Sequence, residues 1–177
     1  MTKLRHLKER ENWTYTDKWV IKKNNSKKFS LKRHFYYNKK LCFVVKKSQI
    51  EKANFGLYAG RDFGKDQVVA YYVGKTLIEK KNNLYFYTGF INTYGNQDFN
   101  KWLKTSEGGY VMQVGNKWID GSKDNFNGTG FINDSYKSKF KTNLKLNTKG
   151  GFKTLKNINK GEELFFQYSK GNTYWKV

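Results

Sequence analysis

The sequence predicts a mostly β domain of small sheets with a basic N-terminal extension, on three observations. From Leu41 onward, short apolar runs alternate with turn residues at strand rather than helix spacing. Proline is absent and glycine occurs 16 times, so the turns must be built from Gly, Asn, Asp and Ser. Aromatics at 18% and hydrophobics at 37% supply a packed core rather than a disordered chain. A length of 177 residues suits one domain with a modest appendage, read as residues 1–40 and 41–177.

Residues 1–40 interleave aromatics (Trp13, Tyr15, Trp19, Phe29, Phe35, Tyr36, Tyr37) with lysine and arginine clusters, KKNNSKK and LKRHFYYNKK. The aromatics predict that part of the extension packs on the domain. The clusters suit phosphate contact, a nuclear import signal, or a solvated basic flank. The net charge of +21 points to an anionic partner such as nucleic acid, a polyanion or an acidic protein surface; the plainer reading is solubility. Cys42, the single cysteine, excludes an intrachain disulfide or a multi-cysteine zinc cluster and reads as a core residue. His6 and His34 lack a ligand-like spacing. No apolar run approaches a membrane span and MTKLRHLKER lacks the core of a signal peptide, so a soluble intracellular protein is expected.

Strands are expected in LCFVVKKSQI and in Asn54 to Leu77, where Phe55, Leu57, Val68, Val69, Tyr71 and Val73 alternate with bends at Gly56, Gly60, Gly64 and Gly74. Residues 78–109 suggest a hairpin followed by a short helix around Gln97 to Lys104. YVMQVGNKWIDG reads as a hairpin turning at Gly115-Asn116. After a loop, SKDNFNGTG, comes FINDS, then two strands turning at Lys149-Gly150-Gly151. A final strand, GEELFFQY, is introduced by Gly161 and ends in Tyr168.

In this order, NFGLYAGRDFGKDQVVAYYVG, the ID of Asp120, FINDS and GEELFFQY resemble the successive signatures of the SET-domain protein lysine methyltransferases. Gly56, Leu57, Ala59, Arg61, Asp62, Lys65, Tyr72 and Gly74 stand in matching places. Asn54 and Asp66 replace family glycines; asparagine tolerates a left-handed backbone, so the turn at Asn54 can survive. Further departures are Gly130 for arginine, Asp134 for histidine, and a longer loop from Ser135 to Asn143 without the family's cysteine and proline.

The resemblance implies a SET fold of small curved sheets in which FINDS and the tyrosine strand thread past one another in a knot-like arrangement. It implies methyl transfer from S-adenosyl-L-methionine to a lysine ε-amine, with Tyr168 catalytic and Tyr72 lining the lysine channel. Without it, Tyr168 is a core tyrosine ending a strand and Tyr72 an edge-strand aromatic. By the same carry-over Asn54, Phe55, Gly56 and Leu57 contact the methionine part of the cofactor. Asn133 bonds the cofactor through its side-chain amide, Asp134 contacts adenine through its backbone, and Trp175 stacks near the adenine. Phe166 stands where phenylalanine leaves room for two or three methyl groups. A histone tail is the implied substrate, with nucleic acid contacted through the basic flank, in the nucleus or on chromatin if the source is eukaryotic or viral and otherwise in the cytoplasm. Two other readings stand beside this one: a non-catalytic nucleic-acid-binding module using basic and aromatic residues, and a degenerate SET fold that binds cofactor without turnover.

Overall fold

The structure, a computed structural model, describes residues 9–21, 29–136 and 138–168. The KKNNSKK cluster at 22–28 and Trp175 lie outside the described residues. Three small sheets carry the fold.

The first is an antiparallel meander of β1 (Trp13–Ile21), β2 (Phe29–Tyr37), β3 (Lys40–Lys47) and β4 (Phe55–Ala59). Asn38 and Lys39, both at positive φ (47° and 66°), close the tight β2–β3 turn, whose hand matches the twist of the strands it joins. Strand alternation sends Phe43 and Val45 into the main core with Phe35, and the adjacent Cys42, beside a register shift between β2 and β3, is buried there too. Trp13 joins them, stacked on Phe43 at 5.7 Å between ring centroids. Trp13, Phe35 and Tyr37 are thus where the basic flank meets the main core.

The second sheet is mixed, in the order β10 (Asn133–Asp134), β13 (Phe165–Phe166), β11 (Leu144–Leu146), β12 (Gly151–Thr154) and β5 (Val68–Tyr71). β13 runs parallel to both of its neighbours, Asn133 pairing with Phe165 and Leu144 with Phe166. The connection from β10 to β11 must therefore cross β13 on one face. Before reaching this slot the C-terminal segment lies along β4, with Ala59 N–H to Glu162 O at 2.8 Å and Leu164 N–H to Leu57 O at 2.7 Å. That contact joins the first sheet to the second.

The third sheet is antiparallel, in the order β7 (Leu84–Phe86), β6 (Lys75–Lys81), β9 (Lys117–Asp120) and β8 (Val111–Val114). It packs under α1 (Thr88–Tyr94) and α2 (Phe99–Leu103) around Leu77, Ile78, Phe90, Trp102 and Trp118. α2 falls within the predicted helical region and is capped by Asp98, whose carboxylate accepts the Lys101 N–H at 2.7 Å. α1 is an addition to the expected hairpin and single helix. Its sequence, TGFINTY, has no side-chain cap and is rich in β-branched and aromatic residues. Tertiary packing holds it: the Phe90 ring lies 5.0 Å from Phe99 and 5.1 Å from Trp102.

Phe35 is fully buried, so Phe35→Ala is expected to cost about 3–5 kcal/mol in urea denaturation. Leu84→Ala, at a side chain 63% exposed, should stay within about 0.5 kcal/mol of the parent. Equal effects would contradict the placement of β2 in the core.

Candidate active site

The slot that receives β13 sets Tyr168 and Phe166 beside the segment that carries Asn133, while Tyr72 is reached from them only through an intervening ring. The Tyr168 hydroxyl donates to the carbonyl of Ile132 at 2.5 Å, one residue before Asn133. From Tyr168 a line of rings runs inward: Phe166 at 5.6 Å, Phe152 a further 5.5 Å on, then Tyr72 at 6.1 Å. Tyr72 is buried and donates its proton to the Tyr110 carbonyl. Phe152, fully buried, is the member that sequence reasoning missed. It follows the predicted Gly150-Gly151 turn, and pairing with Ala70 carries it to the site.

Beneath the turn at 54–57 lies a buried carboxylate. Glu163 accepts the Ser48 hydroxyl at 2.6 Å, the Gln49 N–H at 2.8 Å and the Asn133 amide at 3.3 Å. The same Asn133 nitrogen donates to Phe55 O at 2.8 Å and reaches Ser48 Oγ at 3.1 Å. With its N–H groups turned to protein acceptors, the acceptor that Asn133 has for a ligand is its oxygen. Glycine is required at 56 because a Cβ there would sit 2.0 Å from Glu163 Oε1. Burial, and after it the nearby Glu163 carboxylate, hold the Tyr58 phenol well above its ordinary pKa.

Asn143 pins the C-terminal strand from its other side. Its amide donates to Glu163 O and its oxygen accepts the Phe165 N–H, both at 2.8 Å. Asp134 accepts the Tyr136 N–H at 2.8 Å, so its carboxylate shapes the turn that leaves β10. Gly130, where the family carries arginine, is close-packed: an added Cβ would lie 2.3 Å from Gly121 O. This backbone has no place for a side chain at 130.

The turn departs from expectation in one respect. Asn54 is not in the left-handed region; the glycine replacement that adopts it is Asp66, at φ 62°. Leu57 is fully buried, so it faces the core and has only backbone to offer a ligand, whereas Phe55 is 41% exposed. Phe55 packs edge-on against Phe131, with ring centroids 6.4 Å apart. Beside Phe131 opens a cavity of about 500 Å³ that also takes in Tyr110, Gly121, Asn125 and Phe126. Its size is that of small-molecule sites, which run to about 300–1,000 Å³. A second carboxylate, Asp120, is fully buried nearby and accepts from Ser122 N–H at 2.9 Å, Ser122 Oγ at 2.6 Å and the Tyr94 hydroxyl.

A sheet protein whose aromatic centre forms where a C-terminal strand slots between two earlier ones is a narrow structural class. The family model described as SET domain matches residues 54–169, and the chain belongs to that family. Its enzymes are protein-lysine methyltransferases that use S-adenosyl-L-methionine. Among solved structures, the fold is similar to a chain of the Chaetomium thermophilum polycomb repressive complex 2, with TM-score 0.52 and 24% identity over 75% of this chain and 16% of that one. The same complex bound to GSK126 gives 0.52 and 22% over 75% and 16%. An active polycomb repressive complex 2 in the stimulated state gives 0.51 and 24% over 73% and 15%. This chain thus spans about a sixth of the length of those it resembles, and the likeness establishes the fold. No curated protein matches the sequence significantly. No helix among the described residues is long and apolar enough to cross a membrane.

Gly56→Ala is expected to destabilise the protein by about 1–3 kcal/mol in urea denaturation, because Glu163 must leave its donors to make room. A second expectation concerns pH. Burial, reinforced by Asp120, pushes the Tyr94 phenol up to about 12. Folding thus favours its neutral form: the stabilisation is full below about pH 10, the unfolded value, and is lost as pH rises towards the folded one. Tyr94→Phe should flatten that part of the stability profile, measured by denaturation at about pH 9 and about pH 11.

Proposed function

We propose that this chain is an S-adenosyl-L-methionine-dependent protein-lysine N-methyltransferase that acts on a histone tail and adds two or three methyl groups. The observation that carries the reading is the Tyr168 hydroxyl donating to Ile132 O beside Asn133, with Phe166 and Tyr72 on the same line of rings through Phe152.

When bound, S-adenosyl-L-methionine supplies a methyl group made electrophilic by its sulfonium. Tyr168 and Tyr72 each commit a proton to a backbone carbonyl, so towards other groups their oxygens act as acceptors. That suits them to orient an amine N–H and polarised C–H bonds in line. Lysine in water has a pKa of about 10.4 and must lose its proton to react. The buried rings of Phe152 and Phe166 lower the local polarity and disfavour the ammonium form. Backbone of Asn54, Phe55, Gly56 and Leu57, the Asn133 oxygen and the backbone of Asp134 are the proposed cofactor contacts, with Trp175 over the adenine. Phe166 leaves the space that a tyrosine hydroxyl would occupy, which is the basis for multiple methylation.

A net charge of +21 repels a lysine-rich substrate. Basic residues of the 1–40 flank holding DNA or RNA, as in chromatin, would bring the site to its tail, which favours a nuclear setting. A second reading, cofactor binding without turnover, has its motive in the changes at Gly130 and Asp134. The close packing of Gly130 makes the first of these part of a consistent backbone.

The test is calorimetric titration with S-adenosyl-L-methionine alongside tritiated-methyl transfer to histones and nucleosomes. Tyr168→Phe should lower transfer by about a hundredfold or more while cofactor binding is retained. In mass spectra of the methylated peptide, Phe166→Tyr should shift the product towards one methyl group. Cofactor binding without label on any substrate would favour the second reading; neither heat nor label would overturn both.

A further inference from the structure

The 500 Å³ cavity beside Phe131 stands apart from the proposed cofactor contacts: among the described residues, its lining includes none of Asn54 to Leu57, Asn133 or Asp134. It meets the reaction centre at Tyr72 instead. Tyr110, in the lining, takes the Tyr72 proton on its carbonyl. Gly121, also in the lining, lies so near that an added Cβ would strike the Tyr72 hydroxyl. By the methyltransferase reading, Tyr72 borders the channel for the lysine side chain. A cavity that backs onto it is within reach of the residues flanking that lysine, which follow one another at about 3.3 Å in an extended peptide.

Part of the wall comes from outside the residues that match the SET family, from Arg10, Tyr15 and Arg33 of the N-terminal segment. Arg33 grips Asp17 through two nitrogens at 2.6 and 3.0 Å and lies 4.5 Å from the Tyr15 ring centroid. Arg10 reaches across to Asp124, another lining residue, at 3.1 Å. Each charged group among the described lining residues thus has its partner within the protein. An acidic side chain entering the cavity would have to break one of these pairs, and a basic one would meet two guanidinium groups. What the cavity has to offer is rings. Tyr15 and Tyr110 are 53% and 43% exposed, and Phe126 and Phe131 stand behind them.

We propose that the N-terminal segment is a specificity element and that this cavity seats an apolar or aromatic residue flanking the target lysine. The inference rests on the methyltransferase reading and names the kind of peptide its site takes. Selection works by exclusion as well as attraction: Arg10 and Arg33 reject a basic neighbour while the rings hold an apolar one. A lysine flanked by apolar residues is therefore favoured over one in a basic run. An apolar anchor also supplies binding that the repulsion from a net charge of +21 leaves intact.

The experiment is tritiated-methyl transfer by the full chain to a library of short peptides with one central lysine, each flanking position in turn being leucine, phenylalanine, alanine, aspartate or lysine. At one flanking position, leucine or phenylalanine should raise kcat/KM about tenfold or more over lysine. Tyr15→Ala should erase that preference, the loss appearing in KM rather than kcat, and Tyr15→Phe, which keeps the ring, should retain it. Should Tyr15→Ala fail to fold, Tyr15→Gln carries the same expectation. Fluorescence anisotropy of the same peptides, labelled with fluorescein, reads their seating without turnover. Transfer that ignores the flanking residues, or a preference that Tyr15→Ala leaves intact, overturns the pocket alone. A preference for aspartate that Arg10→Gln abolishes gives the arginines to the substrate and overturns it too. Peptides that bind with the apolar preference and take no label uphold the pocket and overturn the methyltransferase reading; neither binding nor label overturns both.

Discussion

One buried carboxylate organises the molecule. Glu163, 2% exposed, takes its hydrogen bonds from a hydroxyl, a backbone amide and an asparagine, all of them neutral. An anion out of water is costly unless such donors surround it, so the two segments that provide them have to meet the C-terminal segment at that point. They are Ser48–Gln49, just after β3, and the β10 strand. Gly56 is drawn in because only a missing side chain leaves room for the carboxylate. The 54–57 turn, Asn133 and the strand leading to Tyr168 are thus placed by one shared requirement.

Much of this was legible in the sequence, because it was local. The turns at Gly115-Asn116 and at Lys149 to Gly151 and the strand leading to Tyr168 follow from turn chemistry and alternation. The convergence of FINDS with GEELFFQY was legible only as a resemblance, since strand pairing over such a separation leaves no periodic trace. Three features escaped. α1 forms against its own propensity because Phe90 has rings to pack against. Phe152 reads as one more strand aromatic until its partners are known. The left-handed turn residue is Asp66 rather than Asn54, since φ is set by where the β5 entry bends and not by which of two substitutions looks more permissive.

Acidic residues in this cationic chain are sparse, and among them Glu163 and Asp120 turn inward while others pair at the surface. Glu163 and Asp120 are buried acceptors, Asp17 and Asp124 brace the N-terminal segment, and Glu162 pairs with Lys156 at 3.2 Å. With so many of the anions engaged in holding the fold, the positive excess is expressed at the surface. The field around the molecule and the order within it therefore come from largely separate sets of charges.

The placement of the last described strand also bears on assembly. Residues 161–168 leave the ribosome after every segment they pair with, and their slot lies between β10 and β11, whose own partners reach back to β5. A nascent chain can build the first and third sheets from neighbouring hairpins, but it has to hold the second ajar until its central strand arrives. Contacts of such long range are slow to form, so the interval in which Phe152 and Leu144 stand uncovered is written into the topology.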